Sequence, residues 1–232
     1  RTPIAVEVGA HYLVGGLRVD GNGAVLRPDG EAVPGLFAAG ECASTGVHGA
    51  CLLSGNALAE AVVGGARAGQ GALAYAAGSE FAPPPEDTLA RVEEQVARAT
   101  EPRQGPSVES LRSAARRAMS RDCGPLRTGE GLARCLEELR SLKGELETAS
   151  APATLQRYNL PLVSIFELRQ MLALGEAVAA SALARRESRG VHRRGDFPAR
   201  DDAEYTRHTM VILTDTGPEV VLETTEEGGE PG

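Results

Sequence analysis

The chain has 232 residues, 42% of them apolar but only 3% aromatic with no tryptophan, so it can form one domain or two small ones with a core built mostly from Ala, Leu and Val. Its 24 basic and 32 acidic residues leave a formal charge of −8, which disfavours nucleic-acid binding because such binders present a basic field. The four cysteines form neither a Cys-x-x-Cys pair nor a zinc-finger spacing with histidine, which points to reduced thiols and an intracellular chain. No apolar run approaches the ~20 residues of a membrane span, and no signal peptide is legible.

The first residue is Arg1, and a strand-like run follows at once over Ile4–Val8, as expected for the C-terminal part of a longer protein. Leu13-Val14 and Leu17–Val19 flank Gly15-Gly16 as two short strand pieces around a tight bend. Turn signals at Asp20–Gly23 and Pro28–Gly30 bracket Ala24–Leu26. Pro34-Gly35 launches Leu36–Ala39, an apolar run of the kind found in buried parallel strands. From Asn56 an Ala-rich helix runs to about Ala77. Its glycines Gly64, Gly65 and Gly69 cost about 1 kcal/mol each relative to Ala, and are tolerated where a helix lies close to a neighbour or a cofactor. Residues 1–80 thus read as α/β.

The Pro-rich segment 81–87 reads as a stiff linker. Beyond it the composition becomes charged and helical, and the pattern predicts an all-α helical bundle over 88–208, with helices at about 87–100, 107–120, 129–148 and 154–187. In the third, Leu132, Cys135, Leu136, Leu139, Leu142 and Leu146 recur at three- and four-residue steps, and Thr128 is placed to cap its start. Residues 209–225 read as a terminal hairpin across Asp215–Pro218, and 226–232 as a disordered polar tail.

Four groups of residues could carry chemistry. Gly40-Glu41 ends an apolar strand, where open α/β sheets bind ligands, and the carboxylate can accept from sugar-like hydroxyls; the plain alternative is a strand end. Asn56, Ala57 and Leu58 open a helix whose free N–H groups favour a phosphate or an anionic ring, and Asn56 could equally be an ordinary cap. His11 and His48 sit on glycine-rich turns, able to hydrogen-bond an anionic substrate or to serve structure alone. The block Arg185–His192, Asp196–Pro198 and Arg200–Asp202 reads either as a solvated, salt-bridged helix end or as a docking element.

These motifs, taken in order, resemble the flavoprotein subunits of fumarate reductase and succinate dehydrogenase, a family that includes L-aspartate oxidase. His11–Gly16 is similar to the family's His-Tyr-x-Met-Gly-Gly. Gly35–Glu41 matches closely, and Val47–Ala50 with Asn56–Leu58 follows the frame of His-Gly-Ala-Asn-Arg-Leu-Gly-x-Asn-Ser-Leu. Leu126–Leu132, Tyr158–Leu160, Glu187–Gly190, His192, Asp196–Pro198 and Arg200–Asp202 resemble its C-terminal domain. The resemblance implies FAD as cofactor, with Gly40, Glu41, Asn56, Ala57 and Leu58 beside it, and a small carboxylate substrate near His11 and His48. It implies an iron–sulfur partner subunit and a cytoplasmic location, at the inner face of the membrane through partner subunits. The implied activity is hydride transfer between flavin and a carboxylate-bearing substrate, the isolated chain being inactive. One departure matters: Cys51-Leu52 stands where the family has Asn-Arg, and a leucine cannot replace a bidentate arginine on a dicarboxylate. An L-aspartate oxidase-like enzyme, or a flavin-binding homologue that has lost dicarboxylate chemistry, are therefore the alternatives.

Overall fold

The computed structural model describes residues 11–80, 83–151, 157–214 and 216–224, and the chain divides into two compact units between Pro83 and Pro84. The expected strand at Ile4–Val8 and the tail from 226 lie outside the described residues.

The first unit is a small α/β assembly. Strand β1 (Leu17–Arg18) pairs in parallel with β4 (Ala43–Ser44), and β2 (Ala24–Leu26) pairs antiparallel with β3 (Ala32–Phe37). A 3₁₀ turn (Gly40–Cys42) joins β3 to β4, and helix α1 (Asn56–Ala77) packs across β2, β3 and that turn. Its small core is Val25, Ala38 and Ala43, with Val19 and Val33 against it. Two expectations change here. Leu13-Val14 forms no strand, and the run ending at Ala39 is not a buried parallel strand: β3 pairs antiparallel, and Leu36 is exposed. An apolar run specifies a tendency to be buried, whereas pairing sense and burial depend on which strands flank it.

Glycines let α1 approach so closely. A Cβ on Gly71 would stand 2.8 Å from the Asn22 carbonyl oxygen and 3.0 Å from the Phe37 ring, and one on Gly64 3.7 Å from Ala39 Cβ. Gly65 and Gly69 meet nothing, so the sequence expectation of close approach holds at Gly64 and not at these two. Only Ala68 of α1 is fully buried, while Leu58, Val62, Val63 and Leu73 are exposed.

The second unit is built around α2 (Glu86–Thr100), α3 (Val108–Asp122), α4 (Gly129–Leu146) and α5 (Leu160–Ala184). All six apolar positions expected on α4 are buried, and with Leu111, Ala115, Ala118, Ile165, Leu168 and Leu172 they form one core. Side chains cap three starts: Ser107 accepts from Ser110 N, Thr128 from Gly131 N and Asn159 from Leu162 N. The last of these, beside Tyr158 in the left-handed region (φ 56°), is why α5 begins later than expected. Short α6 (Asp202–Tyr205) leads to an antiparallel pair, β5 (Arg207–Thr214) and β6 (Gly217–Thr224), packed on α5. The cysteines are free; Cys42 and Cys51 are exposed, and burial pushes the Cys135 thiol up to about 12.

The charged block after α5 is not a solvated helix end. Glu187 is fully buried and accepts from Arg185 Nε (2.9 Å), Arg189 Nε (2.7 Å) and the Asp201 amide (2.9 Å). Buried Arg194 donates to the carbonyls of Ala182, Leu183 and Arg185, the ones α5 leaves unpaired at its C-terminus. That is why the helix stops at Ala184. Asp196 accepts from Arg194 and, with its other oxygen, from Gly129 N at the start of α4 (2.8 Å). The block ties the end of α5 to the start of α4.

Candidate functional site

Of the sequence-predicted residues of the first unit, Glu41 meets the segment that follows His11, and His48 and Asn56 share one cavity; two carboxylates organise these contacts. Gly40 adopts φ +69° and turns the chain out of β3, while a Cβ there would lie 3.5 Å from Ala61 Cβ of α1. Glycine thus lets the strand end lie flat on the helix. Glu41, next in the chain, is exposed and accepts from Leu13 N through Oε1 (2.7 Å). Gly16 lies against the same turn so closely that any side chain would overlap the Cys42 carbonyl. The segment His11–Gly16 is thereby strapped to the Gly-Glu corner, with His11 itself exposed.

The second carboxylate is Glu60, one turn into α1. Thr45 Oγ1 donates to its Oε1 (2.9 Å); His48 Nε2 (2.6 Å) and the Tyr12 hydroxyl (3.4 Å) meet its Oε2. Burial by itself would raise the Glu60 pKa, but the hydrogen bonds from Thr45, His48 and Tyr12 outweigh it and hold the carboxyl below its ordinary range. The Tyr12 phenol moves the other way, raised by desolvation and by the Glu60 charge. Left-handed glycines at Gly46 (φ +76°) and Gly49 (φ +56°) fold the intervening loop so that His48 turns back onto the helix.

Thr45, His48, Asn56, Glu60, Gly64 and Arg67 line a cavity of about 470 Å³ whose floor includes Ala38 and Ala39. Asn56, Glu60, Gly64 and Arg67 follow one face of α1. The helix cap is Gly55 (φ +91°), not Asn56, and it supplies no side-chain acceptor. Asn56 N donates to the Leu53 carbonyl (3.0 Å), which leaves the N–H groups of Ala57 and Leu58 as first-turn donors for an external acceptor. Ala57 is half-buried and Leu58 exposed. Leu52 is half-buried in the loop before α1, and its neighbour Cys51 is exposed. Among the described residues, no cluster of three or more His, Cys, Asp or Glu is arranged to hold a metal ion.

Sequence reasoning missed Glu60 and Thr45. Glu60 had a legible signal: it is the sole acidic residue of an otherwise Ala-, Val- and Leu-rich helix. Thr45 had none, since a hydroxyl on a loop says nothing of its partner.

The donor set suits a flavin nucleotide: an exposed carboxylate oxygen for hydroxyls, an uncapped helix start for an anionic group, and a strand end closely apposed to that helix. Comparison with known proteins agrees. Residues 2–58 match the model of an FAD binding domain, and residues 112–227 that of the fumarate reductase flavoprotein C-terminal domain. The chain is 34% identical over 217 residues to the fumarate reductase flavoprotein subunit of Mycobacterium tuberculosis, covering 90% of this chain and 36% of that one. It is 34% identical to the succinate dehydrogenase flavoprotein subunit of Coxiella burnetii over 90% of its length and 37% of the relative's. A structure of mutant Escherichia coli quinol fumarate reductase FrdA superposes with a TM-score of 0.85 at 32% identity, covering 96% of this chain and 38% of that one. The chain spans little more than a third of the length of these relatives. With an FAD-binding segment followed by the characteristic helical domain, it belongs to the fumarate reductase and succinate dehydrogenase flavoprotein family.

Proposed function

We propose that this chain is part of an FAD-dependent oxidoreductase that transfers a hydride between flavin and a carboxylate-bearing substrate, and that it is inactive by itself. The observation that carries this is the convergence of Tyr12, Leu13, Glu41, His48 and Glu60 beside the uncapped start of α1. The exposed apolar surface of α1 supports it too, because an Ala- and Val-rich helix of this kind is ordinarily covered. Glu41 commits Oε1 to Leu13 N and has Oε2 for a ribityl hydroxyl; the first-turn amides of α1 stabilise the anionic part of the cofactor. Bound FAD supplies the hydride chemistry. The chain's own residues orient the substrate: His48 and His11 present ring nitrogens to a carboxylate. An iron–sulfur subunit as electron partner, and a cytoplasmic site at the membrane surface through partner subunits, follow from the same family reading. Among the described residues, no helix is long and apolar enough to cross a membrane.

The test is a full-length Glu41→Gln protein, assayed for FAD retention during gel filtration and for binding by flavin fluorescence. Affinity should fall about tenfold, the scale of one charge-assisted hydrogen bond. Unchanged affinity would remove Glu41 from the site.

Leu52 favours a second reading, a flavoprotein that has lost dicarboxylate chemistry. A missing arginine at a carboxylate costs on the order of 2–5 kcal/mol. Leu52→Arg in the full-length, flavin-loaded protein should therefore confer or strengthen succinate or fumarate turnover. If turnover stays at zero with FAD bound, the missing arginine is not the reason.

A further inference from the structure

His48 Nε2 lies 2.6 Å from Glu60 Oε2, and the two side chains are only 12% and 9% exposed. An ionised carboxylate offers lone pairs alone, so the proton between them belongs to Nε2. Glu60 is kept in that acceptor form by Thr45 on its other oxygen and by Tyr12 beside His48. Nδ1 is then the ring nitrogen left for a ligand, with no protein partner among the described residues, on a ring that lines the cavity of about 470 Å³.

Packing does not explain this arrangement. Burying a carboxylate costs stability unless its lone pairs are used, and alanine at position 60 would pack there at no such cost. Three side chains from two separate segments spend their hydrogen bonds on Glu60.

The geometry points to Glu60 as the positioning residue of this site, which fixes the His48 ring through its Nε2–H so that, in the doubly protonated ring, Nδ1–H donates to the substrate carboxylate. A carboxylate behind a histidine fixes ring orientation and tautomer and stabilises the protonated ring, which then donates from Nδ1 to an anion. Through the Tyr12 hydroxyl the same carboxylate also anchors the residue next to His11, so one helix side chain registers both histidines. The inference rests on the proposal that His48 faces a carboxylate-bearing substrate.

Two experiments separate the inference from that proposal. The first needs neither flavin nor turnover. This 232-residue chain carries four histidines, His11, His48, His192 and His208, few enough to resolve by long-range proton–nitrogen NMR after ¹⁵N-histidine labelling, with His48→Gln giving the assignment. His48 should show a slowly exchanging Nε2–H that is lost in Glu60→Gln and kept in Glu60→Asp. A freely exchanging His48 ring in the wild type, or an unchanged spectrum in Glu60→Gln, overturns the inference whatever the enzyme does. The second uses the flavin-loaded holoenzyme. Glu60→Gln should raise KM for the carboxylate substrate on the order of tenfold and leave kcat within about twofold. His48→Gln should do the same, and the double variant should be no worse than either. Additive losses, or a fall in kcat with KM unchanged, refute positioning through His48. Should Glu60→Gln fail to fold, Thr45→Ala decides: it loosens Glu60 from the side opposite His48, and must speed exchange of the Nε2–H. A protected Nε2–H together with no carboxylate turnover would leave Glu60 as the orienting group and refute the substrate proposal alone.

Discussion

Replacing Glu187 by glutamine tests the claim that the charged block after α5 is internal architecture. Glu187 is 0% exposed, and its partners Arg185 and Arg189 are 14% and 17% exposed. Removing one member of a buried ion pair costs about 3–5 kcal/mol, because the remaining charges stay buried without a counter-ion. Arg185 keeps hydrogen bonds to the carbonyls of Tyr205 and Arg207, and Arg189 keeps Asp202, so the low end, about 3 kcal/mol, applies. For a unit of this size that lowers Tm by about 6–12 °C. Urea unfolding followed by helical circular dichroism measures it. The pH dependence supplies an internal control. The Glu187 carboxyl is desolvated, which alone would raise its pKa, yet hydrogen bonds from Arg189, Asp201 and Arg185 hold it below its ordinary value of 4.5. A depressed carboxyl stabilises the fold above its unfolded pKa, and this is lost as pH falls through the folded value. The gap between wild type and Glu187→Gln should be full at neutral pH and narrow below about pH 4.5. A loss under about 1 kcal/mol, the value of an exposed pair, would mean that the network is solvated in the native state.

Other expectations follow from particular contacts. Leu172→Ala empties a fully buried site in the core between α4 and α5 and should cost about 3 kcal/mol, measured by the same urea titration. Gly65→Ala and Gly69→Ala point into open space and should each stabilise α1 by up to about 1 kcal/mol, whereas Gly71→Ala must push the helix off Asn22 and Phe37 and lower the melting temperature. A rise in Tm for Gly71→Ala would show that α1 does not sit where described. His192 is half-buried, and its desolvation, with nearby arginine charges adding to the effect, should make it titrate below 6.5 by NMR. Its contribution to stability is complete above 6.5 and declines as the pH drops, because the unfolded chain takes up the proton first.

The helical part was the more legible because its signals are local. The three- and four-step spacing from Leu132 to Leu146 and the Thr128 cap depend on residues a turn apart, and all occur as the sequence implies. Boundaries moved where the decisive contact was remote. α5 ends at Ala184 because Arg194, ten residues on, takes its last carbonyls. For the same reason that block reads from sequence as either a solvated end or a docking element: charge is legible in sequence, but burial of Glu187 and Arg194 depends on what folds over them. β3 was misjudged as parallel and buried because strand pairing is a contact between distant segments.

For the site, the residue types and their order along the chain carried the resemblance to the flavoprotein family: a glycine-turned strand end with a carboxylate, a helix start and histidines on glycine loops. These are properties of single turns, fixed by φ angles and hydrogen-bonding groups that each residue carries wherever it is placed. Which of them meet was decided only by tertiary structure. Glu60 lies 48 residues from Tyr12 and 12 from His48, and no local pattern announces that both converge on it. The backbone's allowed turns are written residue by residue. The orientation of a histidine ring, and the nitrogen it offers, is set by a carboxylate that only the packing of α1 against its loops brings within reach.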